Sequence, residues 1–422
     1  MAKTVFILGA GASIGASPNA KTKFPRANEI LKVVREVFCE EFGKSLPALY
    51  CYLNRYCPTK ADVDRNHKLI PLWDSINLEE LYGAIEFEKR LTSHHDCHDA
   101  YREFFSENYQ REVTDILKKH YTDWTESSYS APHNLKTFPY IHENFLRLVQ
   151  GELLDVVSEV FGIFHGNEDT SNFKHLVHLF KEGDTVISFN YDLLLEHHLR
   201  HERPNDWFFN SGYRLGRATP KINFEFVGDT PIGDSKFRII KLHGSCNWHW
   251  QIARKGNHRV SEQIGAGYDA PNDVAEALIA TDNYRPIRHS DPKWKGYFER
   301  FIIPPTTYKA EYQFNAEFIH VVKHKISIGS STMWIPQILY YKALKALRTA
   351  DRLVFIGYSV AGIDASIRML FRAAADMSGA RQIIDVADPC TKVRDRIARI
   401  YPNADEFHHH ESFSDYLAST EK

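Results

Sequence analysis

Short apolar, β-branched runs that end in small or polar residues recur along the chain. They are VFIL before GAGAS (Gly9 to Ser13), DTVISFNYD (Asp184 to Asp192), FRIIKLHGS (Phe237 to Ser245), DRLVFIGYS (Asp351 to Ser359) and RQIIDVADP (Arg381 to Pro389). Runs of this length bounded by turn residues read as strands. Helical spacing follows most of them, in DLLLEHHLRH, DASIRMLFRAAADM and TKVRDRIARIY. After the Gly-rich turn, PRANEILKVVREVF places Ile30, Leu31, Val34, Val37 and Phe38 at helical spacing and predicts a helix over 25–38. Alternating strand and helix predicts an α/β fold with a mainly parallel, doubly wound sheet.

The alternation is interrupted. From about Cys39 to Gly183 the pattern is aromatic-rich and helical, as in LEELYGAIEFEKRL and YIHENFLRLVQGELLDVVSEVFGIF, with no convincing strand. This predicts a helical insertion over 39–183 in an α/β domain made of 1–38 and 184–422. Within that domain 251–330 reads as partly irregular. The stretch from Gln251 to Pro292 mixes charge, Gly and Asn without periodicity, as a mobile loop or a second small insertion that could cover a site would.

The 422 residues allow a substantial core, and 43% hydrophobic with 25% charged residues is the composition of a folded soluble protein. With 52 Lys and Arg against 54 Asp and Glu, the net charge of −2 offers no basic field for a phosphate backbone, so direct nucleic-acid binding is not expected. The six cysteines form no C-x-x-C pair, which fits reduced thiols. Lys3 and the apolar run after it mimic a secretion signal, but two glycines break the run and a single basic residue precedes it. No stretch approaches the length of a membrane span. A cytoplasmic protein without membrane partners is expected. HHDCHD (His94 to Asp99) and HHHE (His408 to Glu411) have metal-capable side chains without zinc spacing; both read as solvated helix turns, and no metal is expected.

In a doubly wound sheet, ligands bind outside the carboxyl ends of the strands. GAGAS, FNYD, HGS, GYS and ADP all fall there, and strand termination alone does not explain an Asn, a His and an Asp at three of those ends. The opening VFILGAGAS could be a buried strand with a tight turn or a nucleotide cradle. Glycines let backbone N–H groups approach a pyrophosphate, and a following helix N-terminus favours negative charge. It is not the dehydrogenase fingerprint, because the third glycine falls one residue late at Gly15 and no acidic residue closes a second strand. Nor is it a P-loop, for lack of G-x-x-x-x-G-K-[ST].

Taken in order, GAGAS, SFNYD (Ser188 to Asp192), KLHGS (Lys241 to Ser245), FIGYS (Phe355 to Ser359) and DVADP (Asp385 to Pro389) resemble the motifs of the sirtuin-like NAD-consuming enzymes, in particular their bacterial antiphage-defence branch. IIPPT (Ile302 to Thr306) is similar to a short proline motif of that branch. The resemblance covers both ends of the chain and leaves the helical insertion unmatched. It implies a sirtuin-like Rossmann domain in which His243 is the catalytic histidine and Asn190 positions the nicotinamide ribose or the attacking water. Asp192 is implied as the acidic partner in the Asn motif. Gly9, Ala10, Gly11, Ala12 and Ser13 are implied to hold the diphosphate, with Gly357, Ser359 and Asp388 near the adenosine half.

The chemistry this implies is undemanding. Nicotinamide leaves readily from its pyridinium, so the ribose passes through an oxocarbenium-like state that needs charge stabilisation and a placed nucleophile. One amide and one imidazole can supply that. Protein-deacylating sirtuins carry a zinc module with two C-x-x-C pairs, and none is found here. The resemblance therefore implies hydrolysis of NAD to nicotinamide and ADP-ribose, as an effector that depletes NAD in antiphage defence. The rival readings are a sirtuin-type deacylase or ADP-ribosyl transferase, and a catalytically silent NAD or ADP-ribose sensor. Restraint of such an enzyme is expected to come from assembly, as a homo-oligomer set by a partner such as a HerA-type ATPase.

Overall fold

In the computed structural model the described residues are 2–16, 24–38, 46–56, 62–63, 69–70, 76–93, 105–120, 138–167, 170–213, 222–227, 233–252, 254–255, 258–259, 276–281, 297–302, 334–360, 365–378 and 382–421. The first apolar run forms β1 (Thr4–Leu8), and one helical turn, α1 (Ala10–Ile14), follows it directly. The helix expected over 25–38 starts later, as α2 (Ile30–Phe38). Residues 27–29 form a turn before it, closed by Glu29, whose carboxylate accepts from the Arg26 N–H at 2.8 Å.

The described residues of 39–183 are mainly helical, as their spacing predicts. Before a last helix, introduced below, they form α3 (Pro47–Tyr56), the paired β2 (Asp62–Val63) and β3 (Leu69–Ile70), α4 (Leu78–Ser93), α5 (Glu107–His120) and α6 (Phe138–Asn167). The long α6 buries Phe145, Val149, Leu153, Val156 and Val160, spaced three or four apart, against α3, α4 and α5. Polar groups inside the bundle are partnered. Pro47 opens α3, and the buried Glu152 of α6 accepts from the Leu49 N–H at 2.7 Å, satisfying one of the donors a helix start leaves open. Arg55 donates to Glu88 at 2.6 Å with its guanidinium 4.4 Å from the Phe105 ring centre, and the Tyr109 hydroxyl lies 3.0 Å from Nε2 of the buried His142.

Then come α7 (Ser171–Leu179), β4 (Thr185–Ser188), α8 (Leu194–Glu202), the short α9 (Phe209–Gly212), β5 (Ile222–Val227), β6 (Arg238–Lys241), β7 (Gly244–Ile252), β8 (Arg254–Lys255), β9 (His258–Arg259), β10 (Glu276–Thr281) and β11 (Tyr297–Ile302). The chain closes with α10 (Trp334–Arg348), β12 (Arg352–Ile356), α11 (Ala365–Met377), β13 (Ile383–Ala387), α12 (Thr391–Ile400), β14 (Glu406–His410) and α13 (Phe413–Thr420). Six strands make one sheet in the order β14-β13-β12-β1-β4-β6, and every neighbouring pair is parallel. The inner strands are buried almost end to end, as a sheet covered by helices on both faces requires. The expected doubly wound sheet is what the chain forms.

Within the stretch read as partly irregular, 251–330, the described strands β10 and β11 join β7 and β5 in a second, four-stranded sheet, β11-β7-β10-β5, in which β7 runs antiparallel to β10 and β11. Long-range ladders stabilise these strands in a region whose local sequence is loop-like. HHHE is not a helix turn: His408 to His410 end β14, a polar edge strand. The other histidine-rich stretch, His94 to Asp99, lies outside the described residues. No described helix is long and apolar enough to cross a membrane.

Candidate functional site at the sheet switch point

Strand order places the candidate site. The chain runs from β1 outward to β4 and β6, then returns to β12 on the other side of β1 and continues outward to β13 and β14. The direction reverses between β1 and β12, the position at whose carboxyl edge doubly wound sheets bind ligands. The carboxyl ends are level, with Leu8 paired to both Ile356 and Ser188, Ser188 to Lys241, and Ile356 to Ala387. All five motif endings therefore lie on one edge of the sheet.

The glycines at the reversal serve loop packing. Gly9 and Gly11 donate to the carbonyls of Ile356 and Gly357 at 3.1 and 2.9 Å, and Ala12 donates back to Gly9 at 2.8 Å. Gly357 has φ +58, and a Cβ on it would sit 2.2 Å from the Ala12 nitrogen and the Gly11 carbonyl carbon. Only paired glycines let the GAGAS and GYS backbones approach this closely. Val360, just beyond, is buried with φ +50, a strained conformation for a β-branched residue.

Between β1 and β4 the buried Ser13, Asn190 and Asp192 form a chain of hydrogen bonds. Asn190 Nδ2 donates to Ser13 Oγ at 2.9 Å, and Ser13 Oγ donates to Asp192 Oδ2 at 2.7 Å. The other Asp192 oxygen accepts from the Leu194 N–H at 3.0 Å, at the first turn of α8. Ser13 has a single proton, so with that proton donated to Asp192 its oxygen accepts from the amide nitrogen of Asn190. The carbonyl oxygen Oδ1 is then the free end of Asn190. Among the described residues it has no hydrogen-bond partner, and it is buried on a residue 8% exposed. A buried acceptor left open costs stability unless a ligand or water donates to it.

His243 lies in the turn between β6 and β7, buried, with its ring edge-on to Phe189 at 5.2 Å and tilted against Tyr191 at 6.0 Å. Phe189 stacks at 4.1 Å on Tyr358 of the GYS motif, an aromatic step that joins the ends of β4 and β12 across the front of β1. Ile302, the first residue of IIPPT, pairs with Gly244 and so brings β11 beside the histidine turn; 303–306 lie outside the described residues.

Past β12, Ser359 is exposed, while its carbonyl accepts from Arg396 of α12 at 2.7 Å. Asp388, just past the end of β13, accepts from the Cys390 N–H at 2.8 Å in the turn before α12. Burial pushes its carboxyl above the usual value, only partly offset by that N–H and by the charges of His409 and Arg396. Of the sequence-predicted residues, Ser13, Asn190 and Asp192 are hydrogen-bonded together at the ends of β1 and β4, with His243 in the turn after β6; Gly9, Gly11 and Ala12 pack on Gly357, Ala10 is exposed, and Ser359 and Asp388 follow β12 and β13.

Sequence reasoning missed the support beneath the hydrogen-bonded residues. Lys241 and Glu196 are each 1% exposed; Lys241 Nζ donates to the backbone carbonyl of Asp192 at 2.5 Å and to Glu196 Oε1 at 3.0 Å. The Tyr213 hydroxyl donates to the same Glu196 oxygen at 3.0 Å and accepts from Asn247 Nδ2 at 3.4 Å. A signal was present: a lysine closing the apolar strand RIIK, and a glutamate on the apolar side of LLLEHHL, each needed a buried partner. Among the described residues no group of three or more His, Cys, Asp or Glu could hold a metal ion.

These features define a doubly wound α/β protein whose strand-end motifs gather on one edge of the sheet, with a buried amide oxygen of Asn190 among them. The chain belongs to the SIR2-like domain family, whose model matches residues 184–401, just over half of its length. No curated protein matches it. Among solved structures, one from work on the structural basis for the mechanism and regulation of Sir2 enzymes aligns over 73% of this chain and 85% of its own, at 13% identity and a TM-score of 0.31.

Proposed function

We propose that this protein hydrolyses NAD+ to nicotinamide and ADP-ribose at the carboxyl edge of the main sheet, beside the ends of β1 and β4. The observation that carries the reading is the orientation of Asn190, whose amide nitrogen is tied through Ser13 to Asp192 and whose buried carbonyl oxygen is left as an acceptor. An acceptor at that point fits a ribose hydroxyl or an attacking water. The bond between the ribose C1′ and the pyridinium nitrogen breaks, and its electron pair leaves with neutral nicotinamide. A water oxygen then bonds to C1′ and a proton is released, so NAD+ and water give nicotinamide, ADP-ribose and H+. Asn190 orients the hydroxyl or water, and the Asp192 carboxylate behind it places negative charge near the developing oxocarbenium. His243, on the next strand end, is the group to relay the released proton. In this reading the loop at Gly9, Ala10, Gly11, Ala12 and Ser13 faces the diphosphate, and Gly357, Ser359 and Asp388 face the adenosine half.

The SIR2-like family model supports an NAD-dependent enzyme in general; hydrolysis as the outcome rests on the chemistry of the site and on the lack of a C-x-x-C pair. Service as an antiphage effector, in a homo-oligomer governed by a HerA-type ATPase, is the biological extension of the same proposal and rests on the motif resemblance. Replacing the two site residues tests the chemistry. Asn190→Ala and His243→Ala are each expected to lower nicotinamide release by about a hundredfold or more while the protein stays folded, as removal of a positioned catalytic group does. Folded variants with wild-type turnover would remove both residues from the mechanism, and transfer of ADP-ribose to an acyl group or a protein would point to the rival enzymes.

A further inference from the structure

We infer that the buried Lys241–Glu196 pair is a positioning device that fixes the orientation of Asn190 through the backbone of Asp192, an inference that rests on the NAD-hydrolase reading above for its catalytic consequence. The geometry is a linked path. Lys241 closes β6 two residues before His243, and its ammonium bonds the main-chain carbonyl of Asp192 at 2.5 Å. The Asp192 side chain is held at both oxygens, by the Leu194 N–H and by Ser13, and Ser13 in turn fixes the Asn190 amide. Glu196 lies one helical turn beyond Asp192 on α8 and anchors the ammonium at 3.0 Å, while Tyr213 and Asn247 anchor Glu196. One buried ammonium therefore ties together the Asn loop, the first turn of α8 and the strand that ends in the catalytic turn.

Stability alone gives little reason for the pair. Removing an ammonium and a carboxylate from water costs several kcal/mol per ion, and apolar replacements of a buried ion pair are often neutral or stabilising. What Leu and Met cannot do in its place is donate to the Asp192 carbonyl.

The test uses the double variant Lys241→Met/Glu196→Leu of the full chain, with Glu196→Gln as the milder change. Hydrogen exchange of the 189–193 amides is measured together with thermal unfolding and nicotinamide release. The double variant is expected to unfold near the wild-type temperature, to exchange the 189–193 amides roughly tenfold faster, and to lose about ten- to a hundredfold in kcat with little change in KM for NAD, the signature of an interaction made in the transition state. Glu196→Gln, which keeps an acceptor for Lys241, is expected to fall between the double variant and wild type, and it carries the test if the double variant fails to fold. Unchanged exchange of the loop in a folded variant overturns the positioning role, and so does a loosened loop with unchanged kcat. If wild-type protein itself releases no nicotinamide, the hydrolase reading fails, and the exchange result alone decides whether the pair positions the loop.

Discussion

The closest test of the switch-point packing is Gly357→Ala, with Gly183→Ala as its control. Both glycines have positive φ, +58 and +91, so a Cβ at either carries the left-handed penalty of roughly 1–2 kcal/mol, eased by about 0.5 kcal/mol because alanine stiffens the unfolded chain. They differ in surroundings. A Cβ on Gly183 meets nothing within 4 Å, whereas one on Gly357 lies 2.2 Å from the Ala12 nitrogen, about 1.2 Å short of ordinary contact, with Gly11 Cα at 2.5 Å. The obstructing atoms are backbone, so relief requires the GAGAS loop to move. Overpacking of this kind adds roughly 1–3 kcal/mol. Gly357→Ala is therefore expected to lower the urea-unfolding midpoint by clearly more than Gly183→Ala, and to displace Ser13 and with it Asn190. Nicotinamide release is expected to fall at least tenfold in Gly357→Ala and to stay near wild type in Gly183→Ala. Equal midpoints in the two variants, or full turnover in Gly357→Ala, would refute the claim that the glycines exist to bring these two loops together.

Ser13→Ala is expected to lower kcat by about ten- to a hundredfold, because it frees the Asn190 amide to turn and leaves Asp192 Oδ2 without its donor; steady-state kinetics of the folded variant check it. Stability should depend on pH through two buried groups of the helical bundle. His142 is pushed down to about 3, by burial first and the Arg55 charge second, so the unfolded chain binds the extra proton below its ordinary 6.5 and stability falls as pH drops from there toward 3. Glu152 is pushed up to about 8 by burial, against the N–H groups of Leu49 and Ala48, so the unfolded chain releases its proton first and stability falls as pH rises from 4.5 to 8. Each acts at up to roughly 1.4 kcal/mol per pH unit, and the two slopes oppose between 4.5 and 6.5. Glu152→Gln is expected to remove the alkaline limb in unfolding measured across pH, and a wild-type limb that survives the substitution would show another group responsible. Chelators are expected to leave nicotinamide release unchanged, since the pyridinium leaving group needs no Lewis acid; loss on chelation and recovery with added zinc would redirect attention to His94 to Asp99.

How much could be read from the sequence follows the range of the interactions involved. The inner strands β1, β4, β12 and β13 were legible because each is buried on both sides and reads as a continuous apolar run ending in small or polar residues. The helices of the insertion were legible from their spacing. β14 was not, since an edge strand of sequence EFHHH lacks apolar periodicity and gains its conformation from pairing with β13. The second sheet was hidden in part for the same reason, although INFEFV in β5 alternates apolar and polar residues and was readable as a strand. At the candidate site, strand-end positions singled out Asn190, Asp192 and His243 in the sequence, but which atom of Asn190 stays open depends on the Ser13 bridge across 177 residues of chain. The Lys241–Glu196 pair was signalled only as a lysine and a glutamate in apolar surroundings. Their joint hold on the Asp192 backbone exists only in three dimensions.

The most direct measurement of the central claim is the fate of NAD+ incubated with the purified protein in water enriched in oxygen-18, with no acyl acceptor present. The account expects nicotinamide and free ADP-ribose in equal amounts, the ADP-ribose carrying one heavy oxygen at its anomeric carbon, and expects both to vanish with Asn190→Ala. Intact NAD+ under these conditions, or nicotinamide released without free ADP-ribose, would contradict it.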